Sequence, residues 1–415
     1  MTTPANKLAD IEEKIDAAAA RPLAKAVTLP AAAYTDEDYF AHEAKHVLET
    51  GWLCVAHVSE LRKPGSFLAI DILGEPLVVT RDQNEEIRVL SRVCPHRSMD
   101  IMPESFTFPR RGEAKRLTCP YHLWSFDLDG KLKGCPHMQR VEDFSKDDWE
   151  LAPFRSEVWK GFVFVNFDGK AVPVSEQYAD LAKVLEPWKT ETMDVVISLD
   201  WDCAFNWKVM IENWMESYHH IGAHSETLNK TMPGQNTWTE PEHPHFIRAH
   251  LPFKDHVREE IEEALEKGEQ LPGFKPIAGI PLEGHIEWGL YVAYPCFMIL
   301  TTHDRVIWYR LLPASAGRCK LQTMTLVPEE SKSAPDYAET LEAETKMLSD
   351  FHSEDMLVNT GVQSGLQSRK VVQGRLSHLE EPVWLIHRYV AARLKGAYPV
   401  RAVRAPYSGP LAAAE

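Results

Sequence analysis

Two short clusters of cysteine and histidine constrain this chain more than any other feature. Cys94-Pro-His96 and Cys119-Pro-Tyr-His122 each supply one thiol and one imidazole, and residues 97–118 separate them. Metal sites need thiolates and neutral imidazoles that short, rigid loops bring together, and a proline beside each cysteine stiffens the turn. The pattern therefore predicts that the four side chains converge on one metal centre, unless they are ordinary core residues.

The mixed pairing of Cys with His narrows the kind of centre. Zinc fingers usually pair Cys with Cys and His with His along the chain. A Rieske [2Fe–2S] centre needs two Cys on one iron and two His on the other, which two mixed loops supply. Spacing favours the Rieske cluster, with a zinc site and a metal-free core as the open alternatives.

Composition sets the class of protein. A chain of 415 residues is long for one compact domain and predicts two, one of them large. The net charge of −16 argues against a nucleic-acid partner, because phosphates would be repelled. The odd set of 7 cysteines is scattered and does not resemble a disulfide framework, and no apolar run approaches the roughly 20 residues of a membrane span. We expect a cytoplasmic protein with no membrane partner.

Helical and strand patterns divide the chain into three blocks. Residues 1–48 are predicted to form helices that pack on the later, larger domain. Residues 49–168 contain short β-type runs between turn residues, typical of a small antiparallel β domain that holds both clusters. Residues 169–415 combine helical spacing with strands of one antiparallel sheet and end in a long helical region at 335–396. The predicted fold class is α+β.

The flanks of the two clusters carry a family resemblance. CPHRSMDI followed by CPYHLWSFDLDG resembles the Rieske motif of the Rieske non-haem iron oxygenases. It is unlike the Rieske protein of cytochrome bc complexes, which has an extra Cys in each loop where this chain has Ser98, Met99 and Tyr121. The segment 97–118 is longer than is common in the family, an inexpensive change because loop-closure entropy rises slowly with length. The resemblance implies a cluster bound by Cys94, His96, Cys119 and His122.

A second metal motif lies far from the first. NWKVMIENWMESYHHIGAHSETL resembles the family's acid-x-x-His-x-x-x-x-His pattern at Glu216, His219 and His224, preceded by Asn213. A non-haem Fe(II) centre takes two His and one carboxylate on one face of the metal. Helix geometry alone does not choose between His219 and His220, because the pair 220 and 224 is i,i+4 whereas His219 requires the helix to open. The family pattern favours His219 and His224.

The remaining site residues follow from the same resemblance. The acidic run before VQSGLQSR resembles the family's closing helix, and Asp355 is the predicted third iron ligand, with Asp350 and Glu354 as rivals. Glu216 and Asn213 are the predicted catalytic residues. The resemblance implies that Glu216 bridges a Rieske His of one subunit to an iron-ligand His of the next in a ring-shaped homotrimer. Most members have Asp here, and Glu occurs in some that demethylate quaternary ammonium compounds.

The implied protein is the terminal oxygenase component of a multicomponent system. It would have a Rieske domain followed by a helix-grip catalytic domain, meaning a curved antiparallel sheet around a long helix. Its cofactors would be one [2Fe–2S] cluster and one mononuclear Fe(II), with O2 as co-substrate. A ferredoxin and an NAD(P)H-dependent reductase would supply electrons, because the chain lacks a Gly-rich dinucleotide fingerprint. Basic residues in the long loop are predicted to help dock the ferredoxin, with loop solubility as an equal alternative: Arg110, Arg111, Lys115 and Arg116.

The expected reaction is monooxygenation of a small organic molecule. Oxidative N- or O-dealkylation of a herbicide-like aromatic amide or of an alkylammonium compound is the main hypothesis. Arene cis-dihydroxylation is the alternative within the family. Two hypotheses of other classes are a non-enzymatic iron–sulfur electron carrier, in which the second set of ligands would not converge, and a zinc-stabilised ligand-binding protein.

Overall fold

The computed structural model describes residues 4–399, so the predicted outer ranges at 1–3 and 400–415 lie outside the described residues. The chain divides into two compact units. Residues 49–175 form one unit, and the chain on either side of that stretch forms the other. The limits 1–48, 49–168 and 169–415 drawn from the sequence remain predictions beside this division.

The unit of residues 49–175 consists of short antiparallel strands. Its strands are β1 (Leu53–His57), β2 (Ser66–Ile72), β3 (Glu75–Arg81), β4 (Ile87–Ser91), β5 (Arg111–Glu113), β6 (Leu117–Thr118), β7 (Ser125–Phe126), β8 (Leu132–Gly134), β9 (Arg155–Trp159) and β10 (Phe162–Asn166). They form three sheets in the orders β1-β10-β9, β4-β3-β2-β5 and β6-β7-β8. The tight turn between β2 and β3 contains Leu73 and Gly74, both at positive φ, a conformation whose twist matches that of paired strands.

Both cysteine clusters border the apolar core of this unit. Cys94 and Cys119 are buried in a cluster of apolar side chains that includes Trp124 and Phe126. Residues 119–124 separate β6 from the paired strand β7, so the second cluster sits in a loop between paired strands. The apolar surroundings exclude water from the sulfur atoms, as a metal–thiolate centre requires.

The other unit is built around one large sheet. Its strands are β11 (Met193–Cys203), β12 (Trp238–Thr239), β13 (Phe246–Pro252), β14 (Glu287–Ala293), β15 (Phe297–Thr301), β16 (Val306–Ser315) and β17 (Arg318–Pro328). They pair antiparallel in the order β11-β17-β16-β15-β14-β13-β12. The α-helices of the chain are α1 (Pro4–Ala19), α2 (Ala32–Thr35), α3 (Glu37–Glu43), α4 (Val174–Gln177), α5 (Ala179–Val184), α6 (Trp207–Met215), α7 (Asp255–Lys267), α8 (Glu283–Ile286), α9 (Tyr337–Leu366) and α10 (Glu381–Leu394).

The long helix α9 lies against this sheet and against α6. His352 of α9 contacts the rings of Tyr309 on β16 and Trp201 on β11, and its Nε2 lies 3.1 Å from the Tyr309 hydroxyl. Tyr309 also packs on Trp214 of α6. These contacts fix α6 and α9 on the same side of the sheet. The predicted α+β fold, with an antiparallel sheet and a long helix, is confirmed.

The amino-terminal helices belong to the same unit. Helix α1 packs against α10. Lys208 of α6 is buried, and its Nζ lies 2.7 Å from Oε2 of Glu43 at the end of α3. Tyr39 and Trp207 also donate hydrogen bonds to Glu43. A buried ammonium needs such a partner, because an uncompensated charge in the interior is costly.

Candidate metal centres

The two cysteine loops share one backbone geometry. The amide of Cys94 donates to the carbonyl of Met99, and the amide of Ser98 donates back to the carbonyl of Cys94. The amide of Cys119 likewise donates to Trp124, and that of Leu123 to Cys119. Ser98 and Leu123 are both at positive φ, which closes each loop tightly. The same scaffold therefore presents both cysteines, although the histidine follows at the second position in one loop and at the third in the other.

The four predicted cluster ligands lie as two close pairs, one of imidazoles and one of thiols. The rings of His96 and His122 lie 4.6 Å apart between centroids, edge to face, and His96 stacks on Trp124. Burial raises the pKa of the Cys94 thiol to about 11, and the Cys119 thiol is its hydrogen-bonding neighbour. The Nδ1 of His122 is buried and has no hydrogen-bond partner among residues 4–399. Two neighbouring thiols, two adjacent imidazoles and an orphaned ring nitrogen fit a Rieske cluster.

The basic residues of the long loop are mostly bound within their own unit. Arg110 pairs with Asp71, Arg111 with Glu60 and Arg116 with Asp127. The fourth basic side chain, Lys115, is exposed and makes no ion pair within the described range 4–399. The predicted docking role of this loop thus falls on fewer charges than the sequence indicates.

The second site begins where helix α6 ends. The helical spacing runs from Asn206 to His220, but α6 stops at Met215 and Glu216 has extended backbone angles. His219 then lies in a 3-10 turn spanning Tyr218–Ile221. The i,i+4 argument that kept His220 as a rival therefore does not apply, because no α-helix connects residues 220 and 224.

His219, His224 and Asp355 converge in the unit that contains α6 and α9. The Nε2 of His224 lies 3.1 Å from Oδ1 of Asp355, and the Nε2 of His219 lies 3.6 Å from the same oxygen. Asp355 is buried on α9, and Asn213 of α6 donates to its Oδ1 at 2.8 Å. Two imidazoles and one carboxylate gathered in this way fit a mononuclear non-haem iron.

His220 stands beside this set without sharing its carboxylate contact. The three imidazoles of His219, His220 and His224 lie near enough to hold a metal ion together. The Nδ1 of His220 is 3.0 Å from the carbonyl of Met232, and burial lowers the pKa of His220 to about 3. Because an iron with open positions prefers two His and one carboxylate, the set with Asp355 is the better fit.

Of the remaining acidic residues, two contact an imidazole of the site and one lies on the surface. Glu216 lies with Oε1 2.8 Å from Nδ1 of His219. Glu354, a rival ligand in the sequence, instead lies with Oε2 2.6 Å from Nδ1 of His224, away from the shared oxygen of Asp355. Asp350, the other rival, is exposed and pairs with Lys346. The pattern of acids in α9 could not reveal the Glu354 contact, because its partner is remote in sequence.

The charges at the site reinforce one another. Burial works against the imidazolium of His224, but the hydrogen bonds it donates to Asp355 and Glu354 outweigh burial and raise the pKa of His224. Burial also opposes the Asp355 carboxylate, yet the hydrogen bond from His224 and the nearby imidazole of His352 hold the pKa of Asp355 well below its usual range. An anionic pocket of this kind suits a divalent cation, whose binding would displace the imidazole proton.

A cavity of about 550 Å³ lies next to these residues. Its walls are mainly apolar and aromatic, and the members that matter here are Phe253, Trp288 and Phe351. Phe351 contacts His224 edge to face, with ring centroids 6.4 Å apart. A cavity of this size and character suits a small organic molecule.

The chain matches two family models. Residues 51–145 match the Rieske [2Fe-2S] domain, and residues 186–396 match the ring hydroxylating alpha subunit (catalytic domain). The chain belongs to the ring hydroxylating alpha subunit family. Membership confirms the predicted recognition as a Rieske non-haem iron oxygenase, with a [2Fe–2S] cluster and a mononuclear iron as cofactors.

Relatives of this alpha subunit include two characterised types. The carnitine monooxygenase oxygenase subunit of Escherichia coli K12 is 37% identical over 203 residues, which cover 48% of this chain and 53% of the relative. The glycine betaine monooxygenase oxygenase subunit of Pseudomonas aeruginosa is 29% identical over 230 residues, covering 55% and 51%. The chain thus spans about half the length of the curated relatives it matches.

The fold of this alpha subunit matches over a longer stretch. A solved structure of a quaternary ammonium Rieske monooxygenase is 25% identical, with a TM-score of 0.75, and the match covers 91% of this chain and 98% of that chain. Within residues 4–399, no helix has the length and apolar character to cross a bilayer.

Proposed function

We propose that this chain is the terminal oxygenase component of a Rieske monooxygenase that dealkylates an alkylammonium compound. The observation that carries the proposal is the convergence of His219, His224 and Asp355 beside an aromatic cavity, in a chain that also gathers two Cys and two His. A non-enzymatic electron carrier has no use for the second set. The proposed iron ligands are His219, His224 and Asp355, and the proposed cluster ligands are Cys94, His96, Cys119 and His122.

The reaction balances as a two-electron monooxygenation. One atom of O2 enters a C–H bond on the carbon beside nitrogen, and the other leaves as water after two electrons and two protons are taken up. The resulting carbinolamine loses its hydroxyl proton and breaks at the C–N bond, which gives an aldehyde or ketone and the dealkylated amine. When bound, the mononuclear iron supplies the oxygen-activating chemistry, and the protein supplies orientation and exclusion of water.

The residues of the cavity support a cationic substrate. Trp288 and Phe253 lie edge to face, with ring centroids 6.5 Å apart, and Phe351 lines the same cavity toward His224. Aromatic faces attract a quaternary ammonium group, whose charge cannot be neutralised by loss of a proton. The relatives that act on carnitine and glycine betaine, and the glutamate at position 216, point in the same direction.

The proposal includes separate electron donors and a homotrimer. A ferredoxin and an NAD(P)H-dependent reductase would reduce the cluster one electron at a time. Glu216, which holds His219, would connect that histidine to a cluster histidine of a neighbouring subunit. A cytoplasmic location completes the proposal, supported by the seven cysteines, all within the described range and none in a disulfide.

The test is a single-turnover assay on the full chain. Protein reduced with dithionite and freed of excess reductant would be mixed with O2 and one of carnitine, γ-butyrobetaine, glycine betaine, choline or naphthalene. We expect a carbonyl product and the matching amine from at least one ammonium compound, with roughly one product per iron site. The Asp355→Ala variant is the matched control, because it should keep the cluster and form no product.

Three outcomes would contradict the proposal. A cis-diol from naphthalene, with no amine released from any ammonium compound, would favour arene dihydroxylation. Iron and sulfide analysis giving only the two irons of the cluster would leave an electron carrier, and zinc in place of iron would indicate a ligand-binding protein.

A further inference from the structure

Both predicted iron-ligand imidazoles have a carboxylate behind them. His219 meets Glu216 through Nδ1 at 2.8 Å, and His224 meets Glu354 through Nδ1 at 2.6 Å. In each case the opposite nitrogen, Nε2, is the one near Asp355. The family motif accounts for Glu216, whereas Glu354 has had no role beyond that of a rival ligand.

We propose that Glu354 is a positioning residue that holds His224 with Nε2 directed at the iron position. The inference rests on the proposed iron site and adds a specific function for one more side chain. A carboxylate on Nδ1 selects the tautomer that has its proton there and leaves Nε2 free as a ligand. It also makes the imidazole a stronger base toward the metal.

The surroundings distinguish this contact from an ordinary surface ion pair. The side chain of His224 is only 1% exposed, and that of Glu354 is 32% exposed. Thr227 donates its hydroxyl hydrogen bond to the same Oε2 at 2.8 Å. A side chain anchored from two directions has less freedom than an exposed carboxylate, so it can transmit orientation to the imidazole.

Helix α9 explains why adjacent residues perform different tasks. Consecutive residues of an α-helix point about 100° apart. Asp355 points at Nε2 of His224 from the buried face, and Glu354 reaches Nδ1 from the edge of that face. The two carboxylates hold one imidazole at both ring nitrogens, which leaves its plane little freedom to rotate.

The test is the Fe(II) dissociation constant of the full chain, measured by competition with a chromophoric chelator. Glu354→Ala removes the acceptor, and Glu354→Gln keeps an acceptor but loses the charge. We expect affinity for iron at this site to fall by about 10- to 100-fold in Glu354→Ala and by less in Glu354→Gln, the usual size of such effects. Thr227→Val, which loosens Glu354 without touching His224, should give an intermediate loss.

Asp350→Asn is the matched control. Asp350 is an exposed acid on the same helix, one turn earlier, and its partner is Lys346. Its affinity for Fe(II) should equal that of the unmodified protein. The visible spectrum of the Rieske cluster and the far-UV circular dichroism check that each variant is folded.

The outcomes separate this inference from the proposed function. If the unmodified protein binds the second iron, and Glu354→Ala and Thr227→Val bind it as tightly as Asp350→Asn does, Glu354 is only a surface acid and the inference is overturned. Should Glu354→Ala misfold, Glu354→Gln and Thr227→Val decide by the same comparison. Failure of the unmodified protein to bind a second iron would instead remove the proposed function, and this inference with it.

Discussion

At the scale of single residues, the candidate iron site depends more on how its ligand side chains are oriented than on which residue types they are. The family resemblance predicts His219, His224 and Asp355, and the structure brings these three together. The resemblance does not predict which side chains hold these ligands in place. Glu354 and His224 are 130 residues apart, and the motif says nothing of ring orientation. The same holds for Asn213, whose contact with Asp355 appears only once α6 and α9 pack together.

Substitution of the neighbouring histidines tests which of them binds iron. His219→Ala and Asp355→Ala should each reduce total iron from about three atoms per chain to the two of the cluster. His220→Ala should retain the third iron, because His220 does not share the carboxylate contact. Iron and acid-labile sulfide analysis checks this. Loss of iron in His220→Ala, with retention in His219→Ala, would reverse the assignment.

His250, on strand β13 and away from the proposed iron ligands, is another side chain whose pKa is shifted. Burial disfavours the charged form of His250, but hydrogen bonds to Glu240 and Glu287 outweigh it and raise the pKa of His250. The stabilisation by charged His250 is therefore complete below its unfolded pKa, about 6.5, and is lost as pH rises through the higher folded pKa. His250→Asn should lower the free energy of unfolding more at pH 6 than at pH 9. Urea denaturation at the two pH values measures this, and an equal loss at both would contradict it.

At the scale of structural elements, the segment after α6 is the main departure from the helical pattern. Apolar spacing continues through NWKVMIENWMESYHH, so the pattern predicts a helix across Glu216. The helix ends at Met215 because the following residues turn to place His219 toward Asp355. Tertiary contacts thus outweigh local helix propensity at the site, as they commonly do.

The turn that contains His219 needs the space that a neighbouring glycine, Gly234, leaves. A Cβ at Gly234 would lie 1.9 Å from the carbonyl oxygen of Ser217, a backbone atom that cannot rotate away. Gly234→Ala should therefore displace the turn that contains His219, cost about 1–3 kcal/mol of stability and weaken iron binding. Denaturation and iron analysis measure both effects.

Gly361→Ala is the control for that substitution. Gly361 lies in α9, and a Cβ there meets nothing within 4 Å. The variant should be neutral or more stable by up to about 1 kcal/mol, because alanine favours the helix. Equal behaviour of the two alanine variants would show that the turn tolerates the added methyl group.

The basic composition of the long loop between the cysteine pairs suggests a charged, solvent-facing surface, but part of that charge is used in ion pairs within the unit. Arg92 is buried between Asp71 and Asp100, and Arg110 pairs with the same Asp71. Arg110→Glu should lower the free energy of unfolding of the unit by about 1–3 kcal/mol, whereas Lys115→Glu should change it by less than about 0.5 kcal/mol. Thermal denaturation followed at the cluster absorbance distinguishes them.

The Lys115→Glu variant also tests the predicted ferredoxin contact. If this loop docks an acidic ferredoxin, Lys115→Glu should raise the KM for ferredoxin while single turnover with chemical reductant stays normal. An unchanged KM would leave loop stability as the function of the basic residues.

At the scale of the whole molecule, the sequence predicts two domains, and the chain divides into two compact units. The change from helical spacing to short strands near residue 49 marks the start of the compact unit 49–175. The sequence predicts that residues 1–48 pack on the later, larger domain, but it could not identify the contacts, such as Glu43 with Lys208, because these join residues 165 positions apart. Local patterns do not encode contacts at that separation.

The proposed trimer makes a prediction for mixed assemblies. A His122→Ala chain should keep its mononuclear iron but lose the cluster, and an Asp355→Ala chain should do the reverse. If electrons pass between subunits, co-expressed mixtures should regain part of the turnover that each variant lacks alone. Differently tagged chains purified by both tags, assayed with substrate and donors, provide the measurement. Inactive mixtures with both cofactors present would exclude transfer between subunits.

The interrupted unit has a consequence for synthesis on the ribosome. Residues 49–175 are complete, and can fold, as soon as they have left the exit tunnel, since domains fold largely as units during translation. The helices α1 to α3 emerge earlier and contact one another, but their partners in the rest of the unit, among them α6 and α10, are made later. During that interval the faces of these helices that pack on α6 and α10 stay uncovered, so we expect them to be exposed to chaperones until α10 has been made.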